Sequence, residues 1–144
     1  MLEYSKNFSF GRGTDAPFEQ VGADWINGPQ LAAYLNERRI PGVRVYATRF
    51  TPTASYFANK EIQGVRFVVT NRDEVDAPRL GIEIGAALEK LYPGKISFEA
   101  NLKLIGNRAT GMSLGKGETP EVIRRRWKAS LDQFQAERAK YLLY

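Results

Sequence analysis

The chain has no cysteine and no histidine among its 144 residues. Without thiols there is no disulfide, no thiolate nucleophile and no zinc–thiolate site, and without imidazole there is no histidine base or histidine metal ligand. A Ser-His-Asp triad, a Cys-His dyad and a zinc hydrolase are therefore excluded within these residues. Chemistry would fall to Asp, Glu, Lys, Tyr, Ser or Thr. Carboxylate-only catalysis, as in glycoside hydrolysis, survives that elimination without being supported by it. Long apolar runs are missing too. None approaches the roughly 20 residues that span a bilayer, so membrane insertion is not expected. Met1 to Phe10 lacks the charged segment and apolar stretch of a secretory signal. Neither a cofactor nor a metal is called for.

What is present suits one globular domain. The length falls within the common domain size of about 100 to 150 residues, and the 43% hydrophobic and 26% charged content is ordinary. The net charge of +5 is concentrated at one end. Residues 102–144 hold nine Lys/Arg against four Asp/Glu, whereas residues 1–101 hold twelve of each.

Apolar periodicity and turn signals order the elements. Asn7 to Phe10 and Phe18 to Ile26 read as extended segments. Asn27 caps a helix opened by Gly28-Pro29 and stopped by Pro41-Gly42, with Leu31, Tyr34 and Leu35 on one face. Gly42 to Phe50 and Glu61 to Thr70 read as strands, the second apolar enough to be central. Asp76 caps a helix with a stripe of Leu80, Ile84, Leu88 and Leu91. Ile96 to Phe98 is expected as a short edge strand, and Leu102, Ile105, Ala109 and Met112 as one helix ending near Gly115. Thr119-Pro120-Glu121 starts a last helix with Ile123, Trp127, Leu131 and Phe134 in a stripe. The terminal Tyr141 to Tyr144 is apolar enough to pack onto the core or onto a neighbouring domain. The expected fold is α+β or mixed α/β, a single compact domain over residues 1–144 with a sheet of about four strands and three to four helices.

Three groups of residues invite a functional reading. The loop Gly11-Arg12-Gly13-Thr14-Asp15-Ala16-Pro17-Phe18-Glu19-Gln20 places a cation, a hydroxyl and carboxylates between glycines, the make-up of a binding loop. Arg12, Thr14 and Glu19 are its candidate ligand-binding side chains, with Phe18, Trp25 and Tyr56 as possible aromatic partners. The bland alternative is a turn braced by Arg12 against Asp15 or Glu19. Thr51 and Thr53, with Gln63 and Gly64, lie at strand ends, where they line a cleft or simply cap a turn and mark a close backbone approach. Arg124-Arg125-Arg126 with Lys128 raises the rival of a nucleic-acid-binding module. Three consecutive residues are spread over about 200° of helix surface, however, so a solvated or inter-domain face is favoured and no nucleic-acid partner is expected. The two Gly-x-Gly pairs lack the spacing of a phosphate loop.

The glycine loop, Phe50-Thr51-Pro52-Thr53, Gln63-Gly64-Val65 and Arg138-Ala139-Lys140-Tyr141-Leu142-Leu143-Tyr144 together resemble the C-terminal domain of the NamZ-like exo-β-N-acetylmuramidases, over nearly the whole chain. That resemblance implies an accessory domain following a Rossmann-like N-terminal domain in a glycosidase that removes terminal N-acetylmuramic acid from peptidoglycan fragments. The family's catalytic glutamate belongs to the first domain, so no catalytic residue is assigned here and the chain alone is expected to be inactive. The match begins near Met1, as in a domain excised from a longer polypeptide. Implied partners are a muropeptide or other peptidoglycan-derived saccharide and the N-terminal domain, in an extracytoplasmic setting. Muramic acid carries a lactyl carboxylate, which the Arg12 guanidinium can grip with two parallel hydrogen bonds. A self-contained glycosidase would need a carboxylate pair, Glu19 with Asp15, Asp24 or Glu61. A purely structural bracing domain is the remaining alternative.

Overall fold

The computed structural model describes residues 1–142. Its sheet forms around the most apolar strand of the sequence. Strands β1 (Gln20–Ala23), β2 (Val43–Phe50) and β3 (Ile62–Val69) run in the order β1-β3-β2, all antiparallel, with β3 central as its composition requires. Alternate residues Val21, Ala23, Val43, Val45 and Val65 are buried on the face that meets the helices. At the crossing of β1 and β3, Gly22 pairs with Gly64, and a Cβ on Gly64 would collide with the Val21 carbonyl.

Helix α1 (Gly28–Glu37) begins where Asn27 Oδ1 accepts from the Gln30 N–H at 3.0 Å, and it buries Leu31, Ala32 and Leu35. Its Asn36 side chain donates to the Val45 carbonyl at 2.7 Å and accepts from the Val45 N–H at 3.1 Å. Those two bonds occupy backbone groups on the outer edge of β2, which would otherwise be open to pairing with another strand. Helix α2 (Ala77–Leu91) starts at Asp76, whose Oδ1 accepts from the Arg79 N–H at 2.9 Å. Its buried face is Ile82, Glu83, Gly85, Ala86, Ala87 and Leu88, while Leu80, Ile84 and Leu91 are only partly covered. Small residues on that face admit the neighbouring Leu114.

Several expectations are corrected here. The sheet has three strands, fewer than the four or so expected. Asn7 to Phe10 contributes a single bridge, Ser9 to Gly22, because Gly11 at φ 68° turns the chain away. Ile96 and Phe98 are buried anchors in a turn and pair with no strand among the described residues. The single helix expected over 102–115 is two, α3 (Leu102–Ile105) and α4 (Arg108–Gly115). Gly106 adopts φ 72°, and Asn107 starts the second helix by accepting from the Thr110 N–H at 2.9 Å. The α-helices therefore number five among the described residues, more than the three to four expected, in an α+β domain.

Helix α5 (Pro120–Arg138) buries Pro120 and Ile123 and half-covers Trp127, whose indole N–H donates to Thr110 Oγ1 at 3.0 Å. The rest of its stripe leaves the core: Leu131 is exposed, and Phe134 is 59% exposed. Thr119 has extended backbone at the N-cap, but its hydroxyl makes no capping bond. Tyr141 and Leu142 remain in solvent rather than packing back, and Leu143 and Tyr144 lie outside the described residues.

One ion cluster ties the helices together. The Glu83 carboxylate, 2% exposed, accepts from Arg38 Nε at 2.7 Å and lies 3.8 Å from Arg79. Arg38 also pairs with Glu121, so a single guanidinium joins the end of α1, the middle of α2 and the start of α5. The Glu83 hydrogen bond is the largest influence raising the Arg38 pKa above its usual value.

Candidate functional site

One end of the sheet is covered by two loops, 11–19 and 51–61, locked to each other. Thr53 donates from both its N–H and its hydroxyl to the Gly13 carbonyl, each at 2.9 Å. Gly13 sits at φ 77°, and a Cβ there would lie 2.5 Å from the Ala54 nitrogen, so the close approach requires glycine. Within the first loop the Thr14 hydroxyl donates to the Gly11 carbonyl at 2.6 Å and accepts from the Ala16 N–H and from Gln20 Nε2. Phe18, Ser55, Phe57 and Asn59 all hold positive φ between 60° and 67°. Non-glycine residues in that region are strained, and such clustering over a braced scaffold is typical of binding loops.

Arg12 projects from this frame with its side chain 55% exposed. Its guanidinium stands 4.9 Å from the centre of the Phe18 ring and donates to Glu3 at 3.1 Å. The braces expected from Asp15 or Glu19 are replaced by Glu3, because Glu19 turns to Arg66 at 3.0 Å. A recess of about 350 Å³ lies beside Arg12, lined by Glu3, Tyr4, Phe8, Ser55 and Tyr56. Tyr4 and Tyr56 are both exposed at its mouth.

The other sequence-predicted residues fall in different places. Thr14 and Thr53 spend their hydroxyls on the loop frame. Thr51 is exposed at the end of β2. Gln63 reaches the opposite way, its Oε1 accepting from the Gly28 N–H at the start of α1 at 3.3 Å. Trp25 is taken by the core: its indole donates to the Asn7 carbonyl at 3.0 Å and its ring packs against Phe8 and Tyr92. Of the carboxylates considered as partners for Glu19, Asp24 is held by Lys60 at 2.8 Å and Glu61 by Arg49 at 3.7 Å. In the basic segment Arg124 pairs with Asp76, Arg126 with Glu118 and Lys128 with Asp132. Arg126 holds the Glu118 carboxyl below the usual carboxylate range. Sequence reasoning missed Glu3 and Tyr4, which carry no motif and reach the site only because the chain returns past them.

The architecture is that of a small α+β domain presenting a braced loop pair at one end of an antiparallel sheet. The chain belongs to the family described as exo-beta-N-acetylmuramidase NamZ, C-terminal, whose sequence profile matches residues 1–144. It is 36% identical over 141 residues to the peptidoglycan beta-N-acetylmuramidase NamZ of Bacillus subtilis (strain 168), a match covering 96% of this chain and 34% of that protein. The chain thus spans about a third of the length of that relative. The crystal structure of a DUF1343 family protein from Bacteroides fragilis NCTC 9343 shares the fold, with a TM-score of 0.72 at 22% identity over 99% of this chain and 39% of that one.

Proposed function

We propose that this domain forms one wall of the saccharide cleft in an exo-β-N-acetylmuramidase whose catalytic carboxylate lies on a preceding domain of the same polypeptide. The observation that carries the reading is Arg12, half-exposed on a braced loop beside a recess edged by Tyr4 and Tyr56. An aromatic ring meets the apolar face of a sugar, and a planar guanidinium meets the lactyl carboxylate of muramic acid. Thr14 and Thr53 hold the loops in place, Thr51 follows the end of β2, Gln63 braces the start of α1, and Glu19 is held by Arg66. The NamZ relative, a peptidoglycan beta-N-acetylmuramidase, supports the substrate class. Peptidoglycan fragments as substrate imply work outside the cytoplasm. The stripe Trp127, Leu131 and Phe134 on α5 is our choice for the surface that meets the preceding domain.

The test is release of chromophore from an aryl N-acetylmuramide. The full-length parent is expected to turn it over and this chain alone is not. Turnover by the isolated chain at the parent's rate would place the chemistry in this domain and reject the reading.

A further inference from the structure

The sheet has a second face, and part of it is bare. Opposite the core-facing residues, β2 presents Arg44, Tyr46 and Thr48, and β3 presents Gly64, Arg66 and Val68. Near Gly22 and Gly64 this face is covered, Phe50 packing over Gly22. Beyond that cover, Arg44, Tyr46, Arg66 and Val68 are exposed, Tyr46 at 58%. Tyr46 stands directly across from Arg66, and Arg66 across from Gln20 of β1, so the three form one row over the sheet. Cross-strand partners have Cβ atoms about 5 Å apart, and Arg44, two positions along β2, sits about 7 Å from Tyr46 on the same face. Gln20 in turn donates to Thr14 Oγ1 at 2.8 Å, so the row abuts the loop that carries Arg12.

The charge of this patch is unbalanced. No acidic side chain of the described residues pairs with Arg44. Arg66 has Glu19 at 3.0 Å, which engages one of its nitrogens and leaves further N–H donors for a second acceptor. An exposed tyrosine ring flanked by two guanidinium groups fits a ligand that combines an apolar ring face with carboxylates. An antiparallel sheet can leave one face in water with no ligand at all, and then its exposed positions should be replaceable without effect on binding.

We infer that Arg44, Tyr46 and Arg66 form a second binding surface, for the body of a carboxylate-bearing glycan strand whose end occupies the Arg12 recess. The surface rests on the saccharide reading of that recess and extends it: Tyr46 stacks on a sugar ring, and Arg44 and Arg66 take lactyl carboxylates farther along the strand.

The experiment titrates this chain with a peptide-free strand of alternating N-acetylglucosamine and N-acetylmuramic acid. A chitin oligosaccharide of equal length and a short nucleic-acid duplex serve as controls. Arg44→Gln is expected to weaken strand binding about tenfold, the size of one charge-assisted contact, and Tyr46→Ala to weaken it measurably by loss of the stacked ring, with the melting temperature unchanged in both. The neutral chitin oligosaccharide should bind more weakly and be indifferent to Arg44→Gln. In the full-length parent the same two substitutions should raise KM on the strand and leave turnover of an aryl N-acetylmuramide intact, whereas Arg12→Ala should impair the aryl substrate. Strand binding by both variants equal to that of the unsubstituted chain would overturn the second surface without touching the Arg12 recess. Duplex binding as tight as strand binding would overturn it as well, since the patch would then be a general polyanion site.

Discussion

Gly13 and Thr53 lie forty positions apart and are joined by two hydrogen bonds to one carbonyl oxygen, from the Thr53 amide and from its hydroxyl. A carbonyl has two lone pairs, and both are used here to fasten one loop to the other. The rigidity of the loop pair is therefore local and testable.

Thr53→Val keeps the shape of the side chain and removes the hydroxyl donor. It is expected to cost about 1 kcal/mol, the net value of a typical hydrogen bond, and to lower the melting temperature by about 4 °C. Amide exchange in residues 11–19 and 51–61 should rise more than in α1 or α2. Thermal unfolding with hydrogen exchange checks both parts.

Glu83→Ala removes the buried carboxylate shared by Arg38 and Arg79, leaving Arg38 with Glu121 alone. Breaking a fully buried pair costs about 3 to 5 kcal/mol; with both guanidinium groups partly in solvent and Arg38 still paired with Glu121, the loss should fall at or below the low end of that range. Pairing Glu83→Leu with Arg38→Met removes both charges at similar volume and is expected to recover much of the loss. Denaturant unfolding of Glu83→Leu, Arg38→Met and their double variant, read as a cycle, measures the coupling.

Gly64→Ala should destabilise by about 3 kcal/mol, because the added methyl meets the Val21 carbonyl across the strand pair and the central strand cannot move aside. Gly94→Ala makes a useful contrast. A Cβ there meets nothing within 4 Å, so its cost comes only from the positive φ of 73°. Denaturant midpoints of the two variants decide the order.

Stability should fall at both ends of the pH scale. The Glu118 carboxyl is lowered chiefly by Arg126, and the Glu121 carboxyl by its own backbone N–H and then by Arg38. Groups with a depressed folded pKa add stability above their usual value of 4.5, and that stability is lost as pH drops through the folded value. Burial raises the Tyr92 phenol above 10.0, against a smaller opposing effect of the hydrogen bond its oxygen accepts from the Asn27 N–H. That contribution is present below 10.0 and disappears as pH rises through the folded value. Melting temperature against pH should show both flanks, with the acid flank shallower in Glu118→Gln and the alkaline flank shallower in Tyr92→Phe.

The parts of this fold legible in the sequence are those decided by neighbours in the chain. Asn27 and Asp76 cap the helices that follow because each side chain needs only a backbone N–H three residues on. Gly64 marks the close strand approach for which glycine is the local signal. The break between α3 and α4 was harder to see, since Leu102, Ile105, Ala109 and Met112 keep helical spacing across it. Gly106 and the Asn107 cap were the contrary signals. Contacts between distant residues left no trace. Nothing near Glu83 announces Arg38 at 45 positions' distance, and nothing near Arg12 announces Glu3 or Tyr4. Trp25, plausible as a sugar platform by type, is committed by a bond to Asn7 that no pattern reveals.

The central claim is that Arg12 recognises the muramyl group, and the discrimination ratio of the full-length parent tests it most directly. With kcat/KM measured on aryl N-acetylmuramide and aryl N-acetylglucosaminide, Arg12→Ala should cost about one to two orders of magnitude on the muramyl substrate and little on the other. Arg12→Lys should fall well short of restoring the ratio, because the charge remains but the planar fork is gone. An equal fall on both substrates, together with a lower melting temperature, would contradict the account and make Arg12 a brace for Glu3 and the loop.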